Sequence, residues 1–172
     1  MNEVTFGFVK PDAYDHRQAI LEEFILPSGL SVVREKDPYF FTGKTAREHY
    51  EEHTGKDFFE SSLIPFTLFG FSGISERYAP KVPAPTALWV LEGEDAVKVL
   101  KEITGDTIPG VAEYNAISEK QTIRSRYGTG VPTNAFHRAD SHRSARREVM
   151  LHFQRDELPD YVLEMLDNPP YI

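Results

Sequence analysis

A histidine lies within a short polar run in the last third of the chain. The run reads Asn134-Ala135-Phe136-His137-Arg138-Ala139-Asp140-Ser141, and Glu148 follows it. Imidazole is a useful nucleophile near neutral pH, because much of it is unprotonated. Such a nucleophile needs a partner on its other ring nitrogen, and Glu148 can supply one. The alternative is an ordinary loop or core histidine, and the choice depends on the residues elsewhere in the chain.

Four further positions suit a phosphorylated ligand. Lys10 follows an apolar segment at residues 4–9 and can present a point charge to a phosphate, although Lys-Pro-Asp also fits a plain turn. Arg124 suits a bidentate contact with phosphate oxygens, and a solvated surface arginine is its alternative. Tyr50 and Phe58 can stack on a nucleobase or pack in the core. Each position alone is ambiguous.

Composition limits the class of protein. The chain has 172 residues, 40% hydrophobic and 27% charged, which predicts one globular domain with a buried core. Its formal net charge of −8 argues against nucleic acid as a partner. Residues 138–147 nevertheless hold four arginines and one histidine. A local basic patch on an acidic body favours a small anionic ligand.

Several other classes are disfavoured. The sequence has no cysteine, which excludes disulfides and thiolate chemistry. The N-terminal residues do not resemble a signal peptide, and we find no apolar run long enough to span a membrane. We therefore expect a cytoplasmic protein without a membrane partner.

The helices and strands must bring these residues together. Apolar patterning predicts strands at residues 4–9, 30–41 and 86–91, with a break at Asp37-Pro38 and a turn at Glu92-Gly93. It predicts helices at residues 15–24, 95–103 and 142–153, and a helix capped by Thr45 and Glu48 that runs to residue 53. Residues 58–69 begin as a helix that Pro65 interrupts.

The remaining segments are irregular. Residues 69–85 are rich in glycine and proline and predict an inserted surface loop, and residues 106–121 are a long irregular stretch. The tail from about residue 157 is expected to pack on the surface. Alternating strands and helices predict an α+β fold of the ferredoxin-like βαββαβ kind, an antiparallel sheet with helices packed on it, forming a single domain over residues 1–172.

Several motifs, in order, resemble those of the nucleoside diphosphate kinase family. The resemblance covers about residues 4–160, and its most specific part is the histidine motif. The matching pieces are residues 5–12, His49-Tyr50, Lys56-Asp57-Phe58-Phe59, Gly105-Asp106-Thr107, Thr122-Ile123-Arg124 and Asn134-x-x-His137-x-x-Asp140-Ser141.

The resemblance implies a mechanism and a set of roles. His137 would take the γ-phosphoryl group from a nucleoside triphosphate and pass it to a nucleoside diphosphate, with Glu148 holding the imidazole and Lys10 assisting. Mg²⁺ would be carried by the nucleotide phosphates rather than by a protein site. A homo-oligomer is implied as well. The nucleotide-binding residues implied are Lys10, Tyr50, Phe58, Lys101, Thr107, Arg124, Val131 and Asn134.

This chain also departs from the family pattern. Ala139 replaces a serine whose hydroxyl lies near the histidine, Arg138 replaces a glycine, and Lys101 aligns with a phosphate-binding arginine. Insertions are expected near residues 69–85 and 108–121, and the second bears on the family's usual hexamer. The alternative function is a divergent nucleotide-binding or regulatory module with weak or no kinase activity.

Overall fold

The fold is built on a four-stranded antiparallel sheet in the order β2-β3-β1-β4. A computed structural model describes residues 2–75, 80–109 and 121–169. The strands are β1 (Asn2–Val9), β2 (Ser31–Tyr39), β3 (Thr86–Glu94) and β4 (Phe136–Arg138). This is the predicted ferredoxin-like α+β arrangement.

The two central strands are buried on both faces. In β1, Val4, Phe6 and Phe8 point to one side of the sheet, and in β3 Trp89 and Leu91 point to the other. This follows from the two-residue side-chain period of a strand. Nearly continuous apolar runs therefore mark these strands as central, and both were predicted from sequence. β3 continues through Glu92-Gly93, where a turn was expected, because both residues pair with β1.

Helices cover each face. On one side, the α5 face, lie α1 (Arg17–Ile20) and α5 (Ala96–Thr104). On the other side, the α7 face, lie α2 (Gly43–His49), α7 (His142–His152) and α8 (Asp160–Asp167). The remaining helices are α3 (Ile64–Phe69), α4 (Phe71–Ile74) and α6 (Ile123–Tyr127). The helical segment around α1 extends from the 3-10 turn Pro11–His16 through the π turn Leu21–Ile25 to the 3-10 turn Leu26–Ser28.

Two local predictions in the α2–α3 region are wrong. The N-cap of α2 is Thr42, whose side chain accepts a hydrogen bond from the Thr45 amide at 3.1 Å, so Thr45 is the third helical residue instead of the cap. Pro65 does not interrupt its helix. The chain passes from the π turn Phe59–Leu63 into α3 at Ile64, and Pro65 occupies the first turn of α3, where a missing amide hydrogen is tolerated.

The strand that carries the histidine is only three residues long, and patterning did not predict it. Ala135 precedes it with φ of 67°, a left-handed conformation unusual for alanine. The Ala135 amide donates to Asp12 Oδ2 at 2.9 Å, and its carbonyl accepts from the Lys10 amide at 2.9 Å. These contacts hold the backbone in that conformation, so that β4 aligns beside β1 with His137 opposite Phe8.

The tail does more than pack on the surface. Val162 and Leu166 of α8 are buried in the α7-face core, next to β1. Residues 71–74 form α4 within the expected loop at residues 69–85. Residues 76–79 of that loop and residues 110–120 of the second expected insertion lie outside the described residues. No helix in the described ranges is long and apolar enough to cross a membrane.

The predicted break in the second strand is a distortion rather than an end. β2 continues through Asp37-Pro38, with a register shift against β3 between Lys36 and Tyr39. A bulge of this kind accommodates a proline, which has no amide hydrogen for the ladder. The shift leaves Tyr39 in the sheet, facing the α7-face core.

Candidate active site

A cavity of about 300 Å³ opens at the C-terminal end of β1, beside β4. Its size falls within the range of small-molecule sites. It collects residues from five separate parts of the chain, and seven of the eight implied nucleotide-binding residues are among them. The predicted residues in its lining are Lys10, Tyr50, Phe58, Thr107, Arg124, Val131, Asn134 and His137.

Two cations are buried in the wall of this cavity. Lys10 Nζ donates to Asn134 Oδ1 at 2.7 Å and to the Pro132 carbonyl at 3.1 Å. Burial, followed by the Arg124 charge, lowers the pKa of Lys10 to about 7. No carboxylate is bonded to Lys10 Nζ among the described residues. A buried amine without a carboxylate partner suits an anionic ligand.

Arg124 is the second buried cation. Its Nε and Nη2 donate to the Phe136 carbonyl at 3.1 and 3.0 Å, which fixes the guanidinium beside β4. Its Nη1 lies 3.5 Å from Thr107 Oγ1, and Asn134 Nδ2 donates to the Thr107 carbonyl at 2.8 Å. Burial, and then the charge of Arg138, lowers the pKa of Arg124 to about 10. The arrangement concentrates positive charge and fixed hydrogen-bond donors at one end of the cavity.

Other lining residues of the cavity are aromatic or apolar. The side chains of Phe58 and Val131 are 44% and 60% exposed, although both are large and apolar. Exposed apolar surface at a cavity mouth suits a flat, weakly polar group such as a nucleobase. Tyr50 is buried, and its hydroxyl has no hydrogen-bond partner among the described residues.

His137 lies between the cavity and the protein interior. Its Nε2 lies 2.8 Å from Glu148 Oε2 and 3.0 Å from His49 Nε2, both buried residues. Its ring stacks on Phe8, with 5.0 Å between centroids. In the described part of the chain, Nδ1 makes no hydrogen bond. The interior therefore engages one ring nitrogen and leaves the other for chemistry at the cavity.

The pKa shifts follow from this placement. Burial, and then the charges of Lys10 and Arg124, holds the pKa of His137 well below its usual range. The imidazole is therefore neutral at physiological pH, as nucleophilic attack requires. Burial raises the pKa of the Glu148 carboxyl to about 8, against the opposing charge of Arg147.

Two buried histidines behind His137 were not predicted as site residues. His49 Nδ1 lies 3.1 Å from His152 Nε2, and His152 Nδ1 lies 3.1 Å from the Tyr39 hydroxyl. Burial lowers the pKa values of both histidines. His152 lies four residues after Glu148 on α7, a spacing that places both on one helix face and that could have identified it.

The same region has three side chains whose atoms could coordinate a metal ion. Ligand atoms of His49, His137 and Glu148 lie within 4.8 Å of one another. Hydrogen bonds at 2.8 and 3.0 Å already account for this proximity. Their geometry requires no ion.

The departures from the family pattern can also be located. Ala139 is buried in the α7-face core, and Arg138 pairs with Asp140 at the cavity. Lys101 lies exposed on α5 and does not line the cavity, so the structure does not bring it to the other implied residues.

The fold and the site define a class of protein. A ferredoxin-like sheet carries a neutral histidine at the edge of a cavity whose lining includes buried cations and exposed apolar side chains. That combination suits a protein that binds a phosphorylated, base-bearing ligand against a histidine nucleophile.

Comparison with known proteins identifies the family. The sequence profile described as "Nucleoside diphosphate kinase" matches residues 3–158. Nucleoside diphosphate kinases of Methanosphaera stadtmanae and Methanocaldococcus jannaschii are 33% and 34% identical, over 95% and 93% of this chain and 93% and 99% of theirs. The chain belongs to the nucleoside diphosphate kinase family.

Solved structures agree with the sequence relatives. The Aquifex aeolicus nucleoside diphosphate kinase matches with a TM-score of 0.74 and 31% identity, over 92% of this chain and all of that one. A Halobacterium salinarum nucleoside diphosphate kinase in complex with CDP matches with a TM-score of 0.73 and 29% identity, over 93% of each chain. The fold predicted from sequence is therefore also that of the family.

Proposed function

We propose that this protein transfers the γ-phosphoryl group of a nucleoside triphosphate to a nucleoside diphosphate through a phosphohistidine at His137. The observation that carries the proposal is the division of the His137 ring, whose Nε2 is engaged by buried groups while Nδ1 has no bond among the described residues. The family supports the activity, since its members are phosphotransferases by name.

In the first half-reaction, the Nδ1 lone pair of His137 attacks the γ-phosphorus. The bond from phosphorus to the bridging oxygen breaks, and its electron pair leaves with the nucleoside diphosphate. The ring keeps its proton on Nε2 and becomes cationic, and the ionised form of Glu148 stabilises that charge across 2.8 Å. In the second half-reaction, a terminal oxygen of another nucleoside diphosphate attacks the same phosphorus. The bond from phosphorus to Nδ1 breaks, and its electron pair returns to Nδ1, which restores neutral His137.

The cations contribute by neutralising and orienting the phosphates. Lys10 and Arg124 converge from separate elements on the end of the cavity next to His137. Preorganised charge in a partly dehydrated site stabilises the transferring group without reorganisation. Phe58 and Val131 would hold the base by stacking and apolar contact, which do not read base edges, so we expect broad base specificity.

Mg²⁺ fits this site only as a partner of the nucleotide. The carboxylates at the cavity, Glu52 and Asp140, are exposed, and Asp140 is paired with Arg138. These groups do not form a cage, and Mg²⁺ commonly binds through substrate phosphates with few protein ligands. When bound, the ion supplies charge neutralisation on the phosphates.

A homo-oligomer is proposed on separate grounds. β2 lies at one edge of the sheet and pairs with β3 on one side only among the described strands. Such an edge can be extended or covered by a second copy. The cytoplasmic location, the single-domain boundary and the two insertions remain predictions.

The proposal is tested by trapping the intermediate. The protein is incubated with γ-labelled ATP and Mg²⁺, and the bound label is tested for acid lability and alkali stability. We expect stoichiometric label that an added nucleoside diphosphate removes as labelled triphosphate, and none with His137→Ala. A folded wild-type protein that binds nucleotide without taking up label would instead support the regulatory alternative.

A further inference from the structure

A continuous line of hydrogen bonds runs from His137 into the α7-face core. The links are His137 Nε2 to His49 Nε2 at 3.0 Å, His49 Nδ1 to His152 Nε2 at 3.1 Å, and His152 Nδ1 to the Tyr39 hydroxyl at 3.1 Å. It joins β4, α2, α7 and β2. We call these three residues behind His137 (His49, His152 and Tyr39) the histidine chain.

The two histidines of the chain are buried and covered by aromatic rings, and Tyr39 is partly buried. His49 is fully buried and His152 is 5% exposed. Phe6 stacks on His152 at 5.6 Å, and Phe41 meets the same ring edge-on at 5.1 Å. Burial penalises a charged imidazole, so both histidines are neutral at physiological pH.

Neutral histidines in such a line cannot choose their tautomers independently. A neutral imidazole has one N–H donor and one acceptor nitrogen. Each hydrogen bond between two rings therefore needs a hydrogen on one side and a lone pair on the other. If His137 holds its proton on Nε2 and shares it between Glu148 Oε2 and His49 Nε2, then His49 must hold its proton on Nδ1 and His152 on Nδ1, and the Tyr39 oxygen accepts. The opposite pattern places the His137 proton on Nδ1, where it blocks the attacking lone pair.

Glu148 alone does not determine which pattern forms. With a pKa raised to about 8 by burial, its carboxyl is mostly protonated at neutral pH. The protonated acid can donate to His137 Nε2, which favours the blocked tautomer. A second acceptor at Nε2 opposes this, and His49 Nε2 occupies that position at 3.0 Å.

We propose that His152 and Tyr39 are positioning residues that, through His49, hold His137 with its proton on Nε2 and its Nδ1 lone pair facing the cavity. This inference rests on the proposed function for its catalytic consequence, but the tautomer itself can be observed without turnover. Neither residue touches the cavity, so nucleotide binding does not depend on them.

The positively charged groups near the histidine chain do not bind its ring nitrogens. Arg147 Nη2 donates to the His49 carbonyl at 3.0 Å and lies 3.5 Å from Glu148 Oε1. Lys36 Nζ donates to the His152 carbonyl at 2.8 Å and pairs with Glu157. These cations bind backbone oxygens, which leaves the ring nitrogens to one another, and their charge further disfavours a protonated imidazole.

The test uses His152→Phe, which keeps an aromatic ring and removes both nitrogens. Histidine-labelled protein is examined by long-range ¹H–¹⁵N correlation, in which protonated and unprotonated ring nitrogens differ in shift. We expect wild-type His137 to be protonated on Nε2, and the variant to populate the Nδ1-protonated form. If about one fifth of the variant molecules keep His137 protonated on Nε2, which is the form that can attack phosphorus, kcat falls about fivefold while KM is unchanged.

Two further variants separate positioning from packing. Phe41→Leu disturbs the aromatic seal without removing a hydrogen-bonding group and should leave the His137 tautomer and kcat near wild type. His152→Gln supplies an amide oxygen that can accept from His49 Nδ1–H, and it should restore the Nε2–H form and much of kcat. If His152→Phe does not fold, Tyr39→Phe replaces it as the test. We expect a smaller shift of His137 toward the Nδ1-protonated form in that variant.

An unchanged His137 tautomer in His152→Phe, or in Tyr39→Phe where that variant decides, overturns the proposal. So does a fall in kcat that Phe41→Leu reproduces, because that result assigns the chain a packing role. Failure of the proposed function is distinct, since it would appear as absent phosphotransfer in a wild-type protein whose tautomer is nevertheless as expected.

Discussion

Both faces of the sheet carry a buried core, but the two cores differ in chemistry. On the α5 face, Trp89, Leu100 and Phe136 form an apolar layer. A buried carboxylate on this side, Glu3, lies near the N-terminal end of β1 and accepts from the Val97 amide of α5. On the α7 face, the layer contains His49, His152 and Glu148 among apolar residues. Burying polar groups costs free energy unless they are paired.

We interpret this difference as a division between a face that serves stability and a face that serves the proposed chemistry. Buried polar groups on the α7 face converge on one nitrogen of His137, with Glu148 at 2.8 Å and His49 at 3.0 Å. The α5 face offers no such convergence in the described ranges. We therefore expect substitutions on the two faces to separate into those that alter turnover and those that alter folding.

The largest effect on turnover is expected at Glu148. In Glu148→Gln the amide cannot carry the charge that stabilises cationic His137 during transfer, and it can donate to Nε2. We expect kcat to fall about 100-fold, a size typical of losing a group that assists proton placement. Steady-state kinetics measures it, and thermal unfolding is the control. A loss below threefold in a folded variant would contradict the role of Glu148.

The next effect concerns Lys10 and pH. The pKa of Lys10 is lowered to about 7, so in the nucleotide-free protein Lys10 loses its proton as pH rises through neutrality. Phosphate binding must then restore that proton. Nucleoside diphosphate affinity should therefore fall with rising pH, by up to about tenfold per unit. Calorimetry at pH 6 to 9 measures the dependence.

The matched variant for that experiment is Lys10→Gln, which binds more weakly and lacks the titrating amine. Subtracting its profile removes the titration of the nucleotide itself. If wild type and variant have parallel profiles, Lys10 does not titrate in this range and the predicted origin of the dependence is wrong.

A smaller effect is expected at the aromatic part of the cavity lining. Phe58→Ala removes a stacking surface that is already 44% exposed. We expect KM for nucleotides to rise about fivefold, at the low end of the 1–3 kcal/mol for base stacking. Leu21, on the other side of the sheet and partly buried, gives a matched control as Leu21→Ala. Equal KM values in the two variants would exclude a base contact by Phe58.

The smallest effect on turnover is expected on the α5 face. Leu100→Ala removes a fully buried side chain and should lower the free energy of unfolding by about 2–5 kcal/mol. The kcat of the folded fraction should be unchanged. Chemical denaturation and kinetics at low temperature measure both quantities, and a tenfold loss of kcat would show that the two faces are not functionally separate.

Sequence patterning predicted the elements that have strong internal signals. β1 and β3 are long apolar runs, and α7 follows a capped start at Ser141, so local residues determine them. β4 has three residues and exists because Ala135 is held by Asp12 and because β1 offers an edge. Contacts between distant parts of the chain leave no pattern in the local sequence.

The site residues likewise divide into those that local sequence motifs predict and those that only the fold brings together. Motif resemblance located the cavity-facing residues, including His137 and Arg124, because ligand chemistry restricts their types and spacing. The histidine chain was missed, because His49 and His152 are 103 positions apart and only the fold brings them together. Lys101 was assigned by alignment alone, and the structure leaves it exposed outside the cavity.

The central claim is that the interior holds Nε2 of His137 and presents Nδ1 to the nucleotide. The most direct measurement is NMR of the phosphorylated protein, with ¹⁵N-labelled histidine, to identify the ring nitrogen bonded to phosphorus. We predict phosphorus on Nδ1 of His137 and a proton on Nε2. Phosphorus on Nε2, or on another residue, would contradict the account.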